Sequence, residues 1–360
     1  MPDVHDRSPE GDPEQYTGGP RLGLTRRRLL IGVVVLVVTL VALYLLLPKL
    51  AGFSQTWGRL RHGDVLWLLA AGAVEFASIT GYVVLFRTVF GRGMERLTWR
   101  VSVQIPLAGI AAVRLFAAAG AGGVVVTVWA LDRSGMEASV IACRMVASLI
   151  IEYAVYLGAI VLFGAALGLG ILGGRAPLEL TWLPALLSLL VGLAVLSAIL
   201  LPSDVERRLR RIDSGPRLWR RLIERVAAAP AALGTGSRTA VDLIRGRHLG
   251  LLGAVAYWGF DIAALDCSFH AFGGSPTLAV LVLGYFLGTL GNLLPLPGGV
   301  GGVEGAMIGV FVAFGIPAGQ AVIAVLAYRA ISFWLPTLPG VAGYIALRRS
   351  VRRWEASPSD

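Results

Sequence analysis

Charge is what this sequence has least of. Of its 360 residues only 15% are charged, against 56% hydrophobic, where a soluble domain carries about a quarter charged residues. That deficit excludes an ordinary soluble enzyme and points to a polytopic membrane protein. Lysine is nearly missing, with Lys49 alone beside 31 arginines. Cysteine is scarce too. Cys143 and Cys267 sit in separate apolar runs, which gives neither a disulfide framework nor a zinc spacing. The histidines (His5, His62, His248, His270) are scattered, so no metal site is expected. No GxxxxGK phosphate loop and no G-x-S-x-G elbow occurs, so neither an ATP motor nor a hydrolase is written here. No cofactor is expected. The arginines behind the net charge of +10 cluster outside the apolar runs. That suits loops near anionic headgroups, and no nucleic-acid module accompanies the basic stretches.

What is abundant is apolar sequence. Residues 1–25 read as a disordered cytoplasmic tail, rich in Pro, Gly, Asp and Glu. Arg26, Arg27 and Arg28 then precede a first uncleaved span, Leu29 to Leu47. Further spans are expected at about 65–86, 138–172, 182–201, 249–272 and 318–347, with glycine-broken apolar segments at 101–131 and 277–314. Residues 203–248 form a basic loop, eleven Arg against five acids, spaced for short amphipathic helices on the membrane surface. Residues 348–360 are a basic tail. The chain thus divides into a membrane half at 26–202 and another at 249–347, on either side of the loop.

Three basic regions on one side require an even number of crossings between each pair. If all eight apolar segments crossed, the 203–248 loop would lie opposite the basic N-terminus. Treating 101–131 and 277–314 as re-entrant hairpins resolves this. The expected fold is all-α, with about six full spans and two hairpins in inverted repeats; an eight-span bundle is the alternative. A shift of about 180 residues supports the repeat. It lays Gly135-x-x-Ala138 on Gly315-x-x-Ala318 and brings the Gly120–Gly123 run close to Gly299–Gly302.

The stretch from Leu290 to Gly340 is the most unusual. Pro295, Pro297, Gly298, Gly299, Gly301 and Gly302 fall within eight residues, and Glu304 follows. Such a backbone is broken or turned. At membrane depth that is tolerated only where it is buried in protein or lines a cavity. Gly120, Gly122 and Gly123 mark the turn of the first hairpin.

Ionisable residues in apolar spans are costly and mark candidate sites. Arg329, beside Tyr328, carries a planar fork suited to phosphate oxygens; its plainer role is a pair with Glu304 or a carbonyl. Arg114, in the first hairpin, is a second cavity candidate. Glu304 either gates, binds a proton or pairs with a cationic headgroup, or it caps its own half-helix. Asp261, deep in its span, is the acid most suited to protonation or to pairing with Arg114 or Arg329. Asp266 and His270, at i and i+4, suit an interfacial hydrogen bond. Secondary candidates are Arg144, placed to snorkel, Glu152, too far along its helix to touch Arg144, and Glu75, isolated in its span.

One family pattern runs through this stretch. Pro297-Gly298-Gly299-x-Gly301 with Val303-Glu304, then Gly315-x-Pro317, Tyr328-Arg329 and Phe333-Trp334-Leu335-Pro336 resembles the lysylphosphatidylglycerol synthase transmembrane-region family, which are flippase-like integral membrane proteins. The likeness is specific over roughly 285–340 and looser over 100–160. Many relatives carry a proline before the first glycine turn, where this chain has Phe116-Ala117-Ala118-Ala119. Family members that also make the aminoacylated lipid carry a soluble transferase domain after the membrane region, and this chain ends at Asp360. The resemblance therefore implies lipid translocation rather than synthesis, not an enzyme, in the cell membrane; the basic flanks place both termini in the cytoplasm. The expected partner is a phospholipid with an anionic or aminoacylated headgroup; an oligomer is left open, and no nucleic-acid partner is expected. A secondary transporter of a small solute and an intramembrane transferase on a lipid-linked donor are the alternatives.

Overall fold

The computed structural model describes residues 63–115, 121–174, 177–200, 236, 238–294 and 299–356. The tail at 1–25, the first expected span at 29–47, most of the basic loop, and Gly120, Pro297 and Gly298 lie outside these residues. The described chain is helical, without strands. In order come α1 (Val65–Phe90), α2 (Trp99–Leu115), α3 (Ala121–Arg133), α4 (Ala138–Gly168) and α5 (Leu178–Leu200). They are followed by α6 (Leu252–His270), α7 (Leu278–Thr289), α8 (Gly302–Ala313) and α9 (Ala318–Ala356).

Length sorts these helices. Five described helices are long and apolar enough to cross a membrane: α1, α4, α5, α6 with its preceding turn, and α9. They match the five expected spans within the described residues. α2, α3, α7 and α8 have 17, 13, 12 and 12 residues. At about 1.5 Å per residue each is roughly 18–26 Å long, short of the ~30 Å hydrocarbon core. They pair instead. Gly122 lies against the Ala112 carbonyl and Gly123 against Gly109, so α2 and α3 run antiparallel. Gly284 meets Phe311, Gly288 meets Met307 and Gly291 meets Gly302, so α7 and α8 do the same. Both glycine-broken segments are helical hairpins, and the chain is an all-α polytopic membrane protein.

The repeat is plain in the backbone. α1 and α6 end at Phe90 and His270, α3 and α8 at Arg133 and Ala313, and α4 and α9 begin at Ala138 and Ala318, each pair 180 positions apart. The link after each hairpin closes identically. Gly135 N–H reaches the Asp132 carbonyl (2.9 Å) and Met136 N–H that of Leu131 (3.2 Å); Gly315 reaches Val312 (2.8 Å) and Ile316 reaches Phe311 (3.0 Å). Both glycines have φ of 89°, the left-handed conformation that ends a helix in this motif. α1 and α6 pack antiparallel, with Gly81 and Gly253 at the closest approach. Because corresponding helices run in opposite directions, the second repeat is inverted. The two hairpins start from opposite ends of the central α1–α6 pair.

Packing follows the same symmetry. One apolar core gathers α2 and α3 with the ends of α1, the start of α4 and the end of α9. The other gathers α7 and α8 with α6, the end of α4 and the start of α9. α4 and α9 each run through both cores, so the hairpins are locked by the long helix that follows each. α5 stands outside the repeat and presents Leu186, Leu187, Leu190 and Leu193 outward, a face suited to lipid.

The α1–α6 contact gives a first expected result. A Cβ at Gly253 would lie 2.4 Å from the Gly81 carbonyl oxygen, so Gly253→Ala should destabilise the protein by about 1–3 kcal/mol. On the same helix a Cβ at Gly259 meets nothing within 4 Å, and Gly259→Ala should be neutral or stabilising by up to ~1 kcal/mol. Thermal unfolding of the two purified variants in detergent checks the contrast.

Candidate functional site

The polar side chains gather where the hairpin tips reach the central helices. In the second hairpin, Gly299 (φ 67°) and Gly301 (φ 86°) take backbone conformations open to glycine and few others. This turn starts α8 with Glu304 in its first turn. One Glu304 oxygen accepts the Gly301 backbone N–H at 2.6 Å, capping the helix, and the other accepts Arg329 Nε at 2.7 Å. Both side chains are largely buried, 7% and 16% exposed. The capping and pairing roles coexist in one carboxylate.

From the first hairpin comes Arg114, in the last turn of α2. It donates to the carbonyls of Ser332 (2.6 Å) and Phe333 (2.5 Å) and to Thr337 Oγ1 (3.2 Å) on α9. The sequence explains the first of these. Pro336 lies inside α9 and has no N–H, so the Ser332 carbonyl four residues earlier loses its helical partner. Arg114 supplies the missing donor. The Phe333 ring lies near both guanidiniums, its centroid 5.4 Å from the Arg114 guanidinium carbon and 5.8 Å from that of Arg329.

Asp261 on α6 accepts the hydroxyls of Tyr285 (2.5 Å, from α7) and Tyr328 (2.7 Å, from α9). Glu75 on α1 is buried beside it, with Arg114 and Arg329 also in electrostatic reach. Arg114, Glu75, Asp261, Tyr328, Arg329 and Glu304 are thus brought together by five helices.

Arg144 lies elsewhere. It donates to the carbonyls of Phe90 (2.8 Å) and Arg92 (3.2 Å), capping the end of α1. Asp266 and His270 are 3.4 Å apart at the end of α6, where Ser275 also donates to Asp266 at 2.5 Å. Glu152 accepts Ser148 Oγ at 3.0 Å.

Beside the cluster opens a cavity of about 270 Å³, enclosed by the first hairpin, α1, α4 and α6. Its polar wall consists of Arg114, Glu152, Tyr82, Tyr257, Thr127 and Ser148; Val124, Leu149, Phe86 and Ile110 supply apolar surface. Arg114 is the member of the central cluster that reaches this wall. The repeat shows why the other half differs. Positions 124 and 149, on the cavity wall, correspond by the 180-residue offset to Glu304 and Arg329. Where the first half has two apolar cavity-wall residues, the second has a buried ion pair.

Sequence reasoning passed over Tyr285, Tyr257, Tyr82, Ser148 and Thr127 as site residues. Tyr285 carried a signal, as a lone hydroxyl in the otherwise apolar Leu278–Leu287 run. Pro336 carried another, since a proline inside a span marks a freed carbonyl four residues back. The tyrosines at 82 and 257 had no such mark.

Comparison with known proteins agrees with this architecture. The family model described as the lysylphosphatidylglycerol synthase TM region matches residues 29–340. Three UPF0104 membrane proteins of Methanothermobacter thermautotrophicus are similar over shorter stretches, at 35%, 38% and 36% identity over 111, 84 and 86 residues. Those stretches cover 31%, 23% and 24% of this chain and 32%, 25% and 25% of the relatives. The matched segments thus span a third or less of the relatives' length. With the family model covering both repeats and both hairpins, the chain belongs to the lysylphosphatidylglycerol synthase transmembrane-region family.

Proposed function

We propose that the protein moves a phospholipid or a lipid-linked headgroup between the leaflets of the cell membrane, without itself hydrolysing ATP. The observation that carries this reading is the cavity beside the first hairpin. It places a guanidinium and a carboxylate, Arg114 and Glu152, within an otherwise largely apolar wall. A headgroup crossing hydrocarbon needs substitutes for its water, while its acyl chains need none. A guanidinium has five N–H donors, and Arg114 makes three contacts to α9, which leaves donors for a phosphate. Glu152 suits an ammonium. A headgroup carrying both charges fits this wall best.

The asymmetry of the repeats supports a direction-reversing cycle. In an inverted repeat the two halves exchange conformations when access switches sides. Here a cavity lies against positions 124 and 149 of the first half, while the matching positions of the second hold the Glu304–Arg329 pair. The opposite state would part that pair and close the first cavity around positions 124 and 149. The arginines at 26–28, 203–248 and 348–353 favour a cytoplasmic placement of both termini and the central loop.

Exchange of headgroup-labelled phospholipid in liposomes holding the purified protein tests the reading, with a membrane-impermeant quencher reporting the outer leaflet. The native protein is expected to accelerate exchange over protein-free liposomes. Exchange at the protein-free rate for anionic, zwitterionic and aminoacylated headgroups alike would overturn the reading and favour a small solute as cargo.

A further inference from the structure

Glu75 has no part in the pathway just described. It lies within α1, 4% exposed, and its Oε2 is buried without a hydrogen-bond partner among the described residues. The groups in electrostatic reach of it come from other helices: Asp261 and Tyr257 from α6, Arg114 from α2, Arg329 and Tyr328 from α9. α4 also packs on α1, but directs its Glu152 toward Tyr82 and Tyr257.

The pairing in this centre is uneven. Arg329 bonds Glu304 at 2.7 Å, and the two oxygens of Asp261 accept tyrosine hydroxyls. Arg114 then stands in electrostatic reach of two buried carboxyls, Glu75 and Asp261, which interact with each other. Two ionised carboxylates have no donor to share, and one guanidinium leaves an uncompensated buried charge. One bound proton resolves both. It supplies the donor and makes the group neutral. Tyr257 and Arg114 line the cavity and are also in electrostatic reach of Glu75, which puts the cavity on the side from which a proton would arrive.

We propose that Glu75 is a proton-binding site at the centre of the membrane, loaded from one side and emptied to the other as the halves exchange, so that headgroup movement is coupled to proton movement. The coupling rests on the lipid-translocation reading; the proton site stands on the buried cluster alone.

Infrared difference spectra of the full chain in nanodiscs, recorded across pH steps, read the carbonyl stretch of a protonated carboxylic acid directly. The native protein is expected to show a pH-dependent band that is lost in Glu75→Gln and displaced in Glu75→Asp. The same band in native protein and Glu75→Gln overturns the proton site, as does a band that follows sodium rather than pH. Should Glu75→Gln not fold, displacement in Glu75→Asp decides, and an undisplaced band overturns the assignment. The second arm imposes a pH step on the liposome assay. Native protein is expected to bias lipid toward one leaflet, with loss of that bias in Glu75→Gln. Equal bias in both, or none in the native protein, overturns the coupling while lipid exchange still stands. Absence of exchange overturns the lipid reading and the coupling together, and the infrared result still decides the proton site.

Discussion

Replacing Arg114 by alanine is expected to destabilise the protein by about 2–4 kcal/mol. The Ser332 carbonyl loses the donor that replaced its helical bond, a buried loss of roughly 1–3 kcal/mol, and the contact with Phe333 contributes about 1 kcal/mol more. The cause makes the prediction specific. Pro336→Ala restores an N–H four residues after Ser332, so the helix can satisfy that carbonyl itself. Arg114→Ala should therefore cost about 1–3 kcal/mol less in the Pro336→Ala background. The Phe333 carbonyl also accepts Thr337 Oγ1 at 2.5 Å and does not depend on Arg114 in the same way. Thermal unfolding of the four proteins of this cycle supplies the coupling. An Arg114→Ala loss of the same size in both backgrounds would mean that the proline-freed carbonyl is not what holds the guanidinium.

A second large loss is expected from Arg329→Met. Glu304 would keep its bond to the Gly301 N–H but lose its cation while buried, and removing one partner of a buried pair costs about 3–5 kcal/mol. Glu304→Gln on its own leaves Arg329 without its carboxylate and weakens the helix cap as well. The double variant Glu304→Gln/Arg329→Met removes both charges, so its loss should fall short of the summed single losses by roughly 1–3 kcal/mol. Additive losses would show that the two side chains act independently. The same double variant also bears on transport. If the ion pair closes the second half, removing both charges should change the rate of headgroup exchange in protein that remains folded.

The outline of the fold was legible because bilayer physics restricts what can be written. Helices of about 20 apolar residues cross, and glycine-rich breaks turn back only inside protein. With arginine marking one side, Gly135 and Gly315 were enough to find the repeat. The extent of that repeat was not legible. Its helix ends recur 180 positions apart through backbone geometry, while side chains at matched positions diverge, as Val124 against Glu304 and Leu149 against Arg329 show.

The site was legible in its charges and in the Glu304–Arg329 pair, but not in its other pairings. An arginine at membrane depth announces itself, yet whether it faces ligand or protein depends on what the neighbouring helices leave unsatisfied. Arg114 is held by a carbonyl freed by a proline more than two hundred residues away in sequence. Arg144 instead found the end of α1. Glu75 read as isolated because its partners arrive on three other helices.

The most direct test of the account is headgroup exchange in liposomes with the native protein beside Leu149→Trp. Leu149 is a cavity-wall residue, 44% exposed, so the larger ring fills the cavity without entering either apolar core. The account predicts rapid exchange by the native protein and exchange near the protein-free rate for the variant, with unfolding temperatures alike. Equal exchange by the two would contradict the claim that a headgroup crosses the membrane through this cavity.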